Sequence, residues 1–186
     1  MPKSFSIAAV PDALFPLVAQ LESLDSRASI DDLSRWLAQL EISLSDLSKF
    51  VHFGETYRRN LICEGQFYEV LCICWASGQR SPIHNHAGST CGLRVMEGTA
   101  TETVFRSSPC GQKLPVRSVD LVAPLVTASQ DEDTHQVSNL QPEGCDLVTL
   151  HIYSPPLRMM DKFSITGEPA GIYRPRNIEF AYGGGI

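Results

Sequence analysis

Two histidines separated by one residue, His84-Asn85-His86, stand inside a spaced frame. Five residues separate Gly78 from His84, four separate His86 from Cys91, and six separate Cys91 from Gly98. Residues one apart on a strand point to the same face, so His84 and His86 can offer two imidazole nitrogens to one metal ion. His135, inside another strand-like run, can supply a third. Convergent nitrogens of this kind build iron and zinc sites. Cys91 lies an odd number of residues past His86, so an unbroken strand would aim its thiol at the opposite face. A turn at Ala87-Gly88-Ser89 would reset that parity, and three histidines plus the Cys91 sulfur would then suit tetrahedral zinc. Three neutral imidazoles alone leave a divalent ion its full charge and open positions for anionic ligands, a thiolate above all.

Two further runs carry chemistry. As a strand, Tyr57-Arg58-Arg59-Asn60 puts Tyr57 and Arg59 on one face and Arg58 on the other. An arginine facing a barrel interior is costly unless it meets an anion, and its planar fork suits a carboxylate. The same run reads equally well as an exposed basic pair on an edge strand. In Thr149-Leu150-His151-Ile152-Tyr153-Ser154-Pro155-Pro156, alternation sets Thr149, His151 and Tyr153 on one face. Hydroxyl, imidazole and phenol in a row can form a hydrogen-bonded relay that orients Tyr153; the alternative is the solvated face of a sheet. The Ser154-Pro155 bond is open to either isomer.

The elements that must position these groups fall into two textures. Pro11 to Leu24 carries Leu14, Phe15, Leu17, Val18, Leu21 and Leu24 at helical spacing. Ser29 or Asp31 can cap a second helix through Leu33, Trp36, Leu37 and Leu40, and Ser43 or Ser45 a short third one through Leu47 and Phe50. After Gly54 short β-prone runs alternate with turn residues. Strands are expected at Tyr57–Ile62, Phe67–Trp75, Ser81–His86, Cys91–Glu97, Ala100–Phe105, Leu121–Val126, His135–Ser138 and Leu147–Tyr153, with Ser107–Gln112 as a hairpin tip. Such a pattern predicts a mainly β fold, an antiparallel sandwich or barrel behind N-terminal α-helices. The whole chain, 1–186, reads as one domain: a helical segment 1–53, a β-barrel 54–166 and an extended C-terminal arm 167–186 that frays at Gly183-Gly184-Gly185.

A length of 186 residues suffices for a sizeable core, and a formal charge of −6 gives no support for nucleic acid or anionic membrane as a partner. A secretory signal or membrane span is not expected, which makes the six cysteines reduced thiols of a cytoplasmic protein. Cys72 and Cys74, inside Val70-Leu71-Cys72-Ile73-Cys74-Trp75, read as buried small hydrophobes rather than metal ligands.

The Gly78–Gly98 frame resembles the first motif of the cupin superfamily, with Cys91 where most members carry a glutamate ligand. His135-Gln136-Val137-Ser138-Asn139 resembles the end of the second motif, although Gln130 and Glu132 stand where proline and glycine are expected. Together with Tyr57-Arg58-Arg59-Asn60-Leu61 and His151-Ile152-Tyr153-Ser154-Pro155-Pro156, these motifs resemble cysteine dioxygenase, the thiol dioxygenase branch of the cupins. The resemblance runs from about Tyr57 to Pro156 and implies a cupin-type jelly roll. It implies Fe(2+) held by His84, His86 and His135, with L-cysteine and O2 as partners. Arg59, helped by Tyr57, would receive the substrate carboxylate. Tyr153 would be the active-site tyrosine, with His151 behind it and Thr149 continuing the relay. Cys91 and Tyr153 match the positions of a thioether crosslink found in some members. Asn85 replaces a common aspartate on a side chain directed away from the metal. Two alternatives stay open: a dioxygenase for another small thiol carboxylate such as 3-mercaptopropionate, and a non-redox, metal-binding cupin.

Overall fold

The computed structural model describes residues 10–130, 134–166 and 169–176. The helical start forms as the apolar spacing predicts. A 3-10 turn, Asp12–Leu14, leads into α1 (Phe15–Glu22), which buries Leu17 and Leu21. Ser29 caps α2 (Ile30–Gln39): its Oγ accepts the Asp32 backbone N–H at 3.0 Å, satisfying one of the donors a helix start leaves orphaned. The third segment, Leu44–Phe50, is 3-10 rather than α, closed at its start by a capping box between Ser43 and Asp46.

Two antiparallel sheets follow. The first orders β1 (Arg58–Glu64), β2 (Glu69–Trp75), β9 (Leu147–Ser154), β4 (Thr90–Glu97) and β7 (Val126–Ser129) side by side. The second orders β11 (Pro169–Tyr173), β10 (Met160–Phe163), β3 (Ile83–His84), β8 (His135–Ser138), β5 (Thr99–Ser107) and β6 (Lys113–Val122). The result is a two-sheet antiparallel jelly roll, the fold that the sequence resemblance implies.

Alternation divides the first sheet into two chemistries. Val70, Cys72, Cys74, Val148, Leu150 and Ile152 pack outward against the leucines of α1 and α2. Leu71, Ile73, Trp75, Cys91, Leu93 and Tyr153 face the space between the sheets. With both faces covered, β2 and β9 are buried along their whole length, which is why β2 reads as an almost continuous apolar run. Cys72 and Cys74 sit on the helix side as buried free thiols. Helix α2 comes close enough to β4 that a Cβ on Gly92 would lie 3.2 Å from Leu33 Cβ, and Arg94 on the same strand donates to the Leu37 carbonyl at 2.9 Å.

Four expectations need correction. The run expected as one strand at Ser81–His86 pairs only at Ile83–His84, because the chain turns after His86. The run expected at Leu121–Val126 is two strands, β6 and β7, parted by a turn that contains a cis Ala123-Pro124 bond. Most of β6 is an addition to the expected strands: Lys113 to Asp120 lies largely exposed on an edge, and its Leu114, Pro115, Val116 and Val119 do not form a regular apolar alternation. The arm is extended at Pro169–Tyr173, but paired to β10 as β11; the triple glycine lies outside the described residues. Ser154-Pro155 is cis.

Candidate active site

Two strands of the second sheet and the turn that follows one of them bring the histidines together. His84 ends β3 and pairs directly with His135, the first residue of β8. His86 arrives from the turn beyond β3, where Ala87 (φ 46) and Gly88 (φ 93) adopt left-handed backbone and Ser89 N–H closes on the His86 carbonyl at 2.9 Å. Ring centroids are 5.3, 4.8 and 4.9 Å apart, and one nitrogen from each ring lies within 4.8 Å of the other two. All three rings are buried.

Hydrogen bonds fix which nitrogens face inward. His84 Nδ1 lies 2.9 Å from the Pro82 carbonyl and His135 Nδ1 lies 2.7 Å from Glu102 Oε1. Both partners only accept, so each Nδ1 carries the proton and each Nε2 keeps its lone pair for a metal. Burial, with the neighbouring His135 and His86, holds the His84 pKa well below that of a free histidine. Burial opposes the Glu102 carboxylate, yet the His135 contact prevails and leaves its pKa below the ordinary value. This nitrogen-only set fits a divalent ion of borderline softness. Cys91 is not part of it: among the described residues the cluster holds His84, His86 and His135 alone.

The Ala87–Gly88 turn does reset the parity of Cys91. Its side chain faces between the sheets, directly across from Tyr153 in the β4–β9 register. Arg59 on β1 is 4% exposed and pairs through Nη2 with Glu69 Oε1 at 3.2 Å. Its guanidinium lies 5.1 Å from the centre of the Tyr153 ring. Burial opposes the Arg59 charge, but Tyr153, Glu69 and Tyr57 around it outweigh that and raise its pKa. Tyr57 stacks on Trp75 with ring centroids 4.6 Å apart.

On β9 the alternating face is a relay rather than a solvated surface. Thr149 Oγ1 donates to the Ile73 carbonyl at 3.3 Å and accepts Trp75 Nε1–H at 3.0 Å. It can only accept from His151 Nε2, 3.0 Å away. The His151 proton therefore sits on Nε2, and Nδ1 accepts the Tyr153 O–H at 3.2 Å. Burial first, then Arg59, His86 and His135, hold the His151 pKa well below the usual histidine range. Burial and the Cys91 thiol push that of Tyr153 well up, although Arg59 pulls the other way. His84, His135, Arg59, Tyr57, His151 and Tyr153 all line one small cavity with Trp75.

The sequence profile of the family described as cysteine dioxygenase type I matches residues 3–166. The chain belongs to that family. Among cysteine dioxygenase family members it is similar to cysteine dioxygenase type 1 of Danio rerio, 29% identical over 161 residues, covering 82% of this chain and 80% of that one. The Homo sapiens cysteine dioxygenase type 1 is 26% identical over 153 residues, covering 78% and 76%. Among solved structures, a Klebsiella pneumoniae protein with a double-stranded β-helix domain superposes at a TM-score of 0.47 and 15% identity, over 70% of this chain and 94% of its own.

Three residues that shape this cavity were not singled out in the sequence: Glu102 behind His135, Glu69 behind Arg59, and Trp75 in the lining itself. Glu102 reaches His135 from β5, where Val104 is the direct register partner of His135. Glu69 Oε1 holds Arg59 and also accepts the Leu157 N–H at 3.0 Å, with no exposed surface of its own. An acidic residue opening an apolar run, as in Glu69-Val70-Leu71, is the one local signal that was available. Asn85 does point away from the histidines: its Nδ2 donates to Asp161 Oδ2 at 3.0 Å and its Oδ1 accepts the Asp161 N–H at 3.1 Å. An aspartate at that position would set two carboxylates against each other.

Proposed function

We propose that the protein is a thiol dioxygenase that adds both atoms of O2 to the sulfur of L-cysteine, giving cysteine sulfinic acid, with Fe(2+) on His84, His86 and His135. The observation that carries this reading is a cluster of three nitrogen donors, two of which line a small cavity together with a buried arginine and a phenol–imidazole pair. Iron, when bound, supplies the redox chemistry that couples dioxygen to a thiolate.

The chain's own residues select and hold the substrate. Arg59 and Glu69 offset each other's charge and Glu102 lies behind His135, so a divalent ion and the guanidinium fork would be the cations that face the cavity. A small thiol acid bound as thiolate and carboxylate meets each of them with an anion, which a buried space favours. Arg59 receives the carboxylate through its planar guanidinium fork. Tyr57, held flat by its stack on Trp75, walls that end of the cavity. Tyr153 keeps its proton at neutral pH and rests it on His151 Nδ1. An oxygen atom reaching the cavity competes for that O–H and gains a fixed hydrogen-bond donor. Burial keeps His151 neutral, and Thr149, itself anchored by Trp75, fixes its tautomer because it can only accept from Nε2.

The test is the product. Anaerobically purified protein is reconstituted with Fe(II), given cysteine and 18O2, and the product is read by mass spectrometry. Cysteine sulfinic acid carrying two labelled oxygens is expected, at higher kcat/KM than for 3-mercaptopropionate. Retention of zinc alone, with no oxygen uptake after iron loading, would overturn the reading.

A further inference from the structure

Immediately outside the histidine cavity lies a second, open depression, lined by Gly54, Glu55, Thr56, Tyr57, Arg58, Arg59, Arg174 and Arg176. Tyr57 and Arg59 line both spaces, so the two meet at that wall. Four guanidinium groups and one carboxylate meet here, on a chain whose formal charge is −6. Such a local reversal of sign is not a by-product of composition. Arg174 and Arg176 are exposed at the bay, just beyond β11. Among the described residues neither has an ion pair or side-chain hydrogen bond, whereas Arg58 donates to the Phe53 carbonyl at 3.2 Å. Both lie past the segment matched by the family profile, which ends at residue 166.

Their position is tied to the metal strand through backbone. Ile172 pairs with Asp161 across β10 and β11, and Lys162, next along β10, pairs with His84. The Asn85–Asp161 hydrogen bonds lock the same junction. The arm is thereby registered to the histidines, and its two arginines are brought to the mouth of the cavity rather than to an arbitrary surface.

We propose that this bay is an outer binding site for small oxyanions, which Arg174 and Arg176 hold at the threshold of the inner cavity. Its ligands are the carboxylate of an incoming thiol acid or the sulfinate of a departing product. The choice of those two rests on the proposed thiol oxidation; the anion site itself does not. Guanidinium forks bind both groups through paired N–H donors, and an open basic mouth raises the local concentration of anions.

Isothermal titration of the metal-free protein, which needs no turnover, tests the site with two probes, acetate and methanesulfinate. Saturable binding is expected for at least one of them, weakening as salt is raised, and the tighter probe tells which side of turnover the bay serves. In the Arg174→Gln/Arg176→Gln double variant that binding should weaken about tenfold, the scale of two partly solvated charge contacts. The Arg59→Gln single variant should retain most of it. Absence of saturable binding, or equal affinity in wild type and double variant, would overturn the bay. Loss in the Arg59 variant alone would do the same by moving the site inside. If the anion binds and cysteine is not oxidised, the bay stands and the proposed reaction falls.

Discussion

In the proposed reaction, single residues set how tightly the cavity would hold a metal and which acid it would accept. Glu102 fixes the proton of His135 at 2.7 Å and thereby the direction of its lone pair. Glu102→Ala is expected to weaken Co(II) or Fe(II) affinity by about ten- to a hundredfold, the range for losing such an outer partner; titration with metal-binding dyes checks it. Arg59→Gln should raise the KM for cysteine by about ten- to a hundredfold with a smaller change in kcat, since one charge-assisted contact is worth roughly 1.5–3 kcal/mol. The single variant also leaves Glu69 buried without its cation, so it should melt early. Arg59→Gln/Glu69→Gln should regain the lost melting temperature and keep the raised KM. The sequence disclosed the three imidazoles, Arg59 and the Thr149–His151–Tyr153 face because each belongs to a run of fixed local spacing. Glu102 and Glu69 stayed hidden because their partners lie 33 and 10 residues away and only the sheet registers bring them together.

At the level of elements, the turns matter as much as the strands. Gly98 closes the β4–β5 hairpin with φ 78, and a Cβ there would overlap the Asp146 carbonyl oxygen. Gly98→Ala therefore meets both left-handed backbone and a fixed obstacle. A loss of about 2–4 kcal/mol is expected in urea unfolding, whereas Gly78→Ala, with open space around it, should cost less. The Ala87–Gly88 turn sets Cys91 directly opposite Tyr153 across two hydrogen-bonded strands, where cross-strand side chains are in reach of each other. Protein exposed to cysteine, iron and air should accordingly yield a Cys91–Tyr153 peptide lighter by two hydrogens. Recovery of unlinked peptides only would remove the crosslink and leave the oxygenase reading intact. A strict period-two reading could not tell whether that turn existed, and it merged β6 with β7 for the same reason: turns invisible to alternation interrupt both runs.

For the molecule as a whole, burying polar machinery between two sheets makes stability depend on pH from both sides. His151 is neutral when folded, with its pKa well below the ordinary value. Below about pH 6.5 the unfolded chain takes up a proton there that the folded chain refuses, so this contribution fades as acid is added through the folded pKa. Tyr153 shifts the other way: above about pH 10 the unfolded chain releases a proton that the folded chain keeps, and stability falls again. Thermal melts across pH 5 to 11 should trace a plateau between those limits, and Tyr153→Phe should flatten the alkaline fall. The jelly roll and its helical cover were legible from alternation and helical spacing, but the division of the first sheet into an apolar outer face and a working inner face needed the strand order. The stack of Tyr57 on Trp75 has a practical outcome. The chain has two indoles, and the other, Trp36, sits on α2 on the far side of the first sheet. Replacing Trp36 with phenylalanine would leave a lone fluorophore built into the cavity lining, so its emission would report ligand arrival in real time without any label.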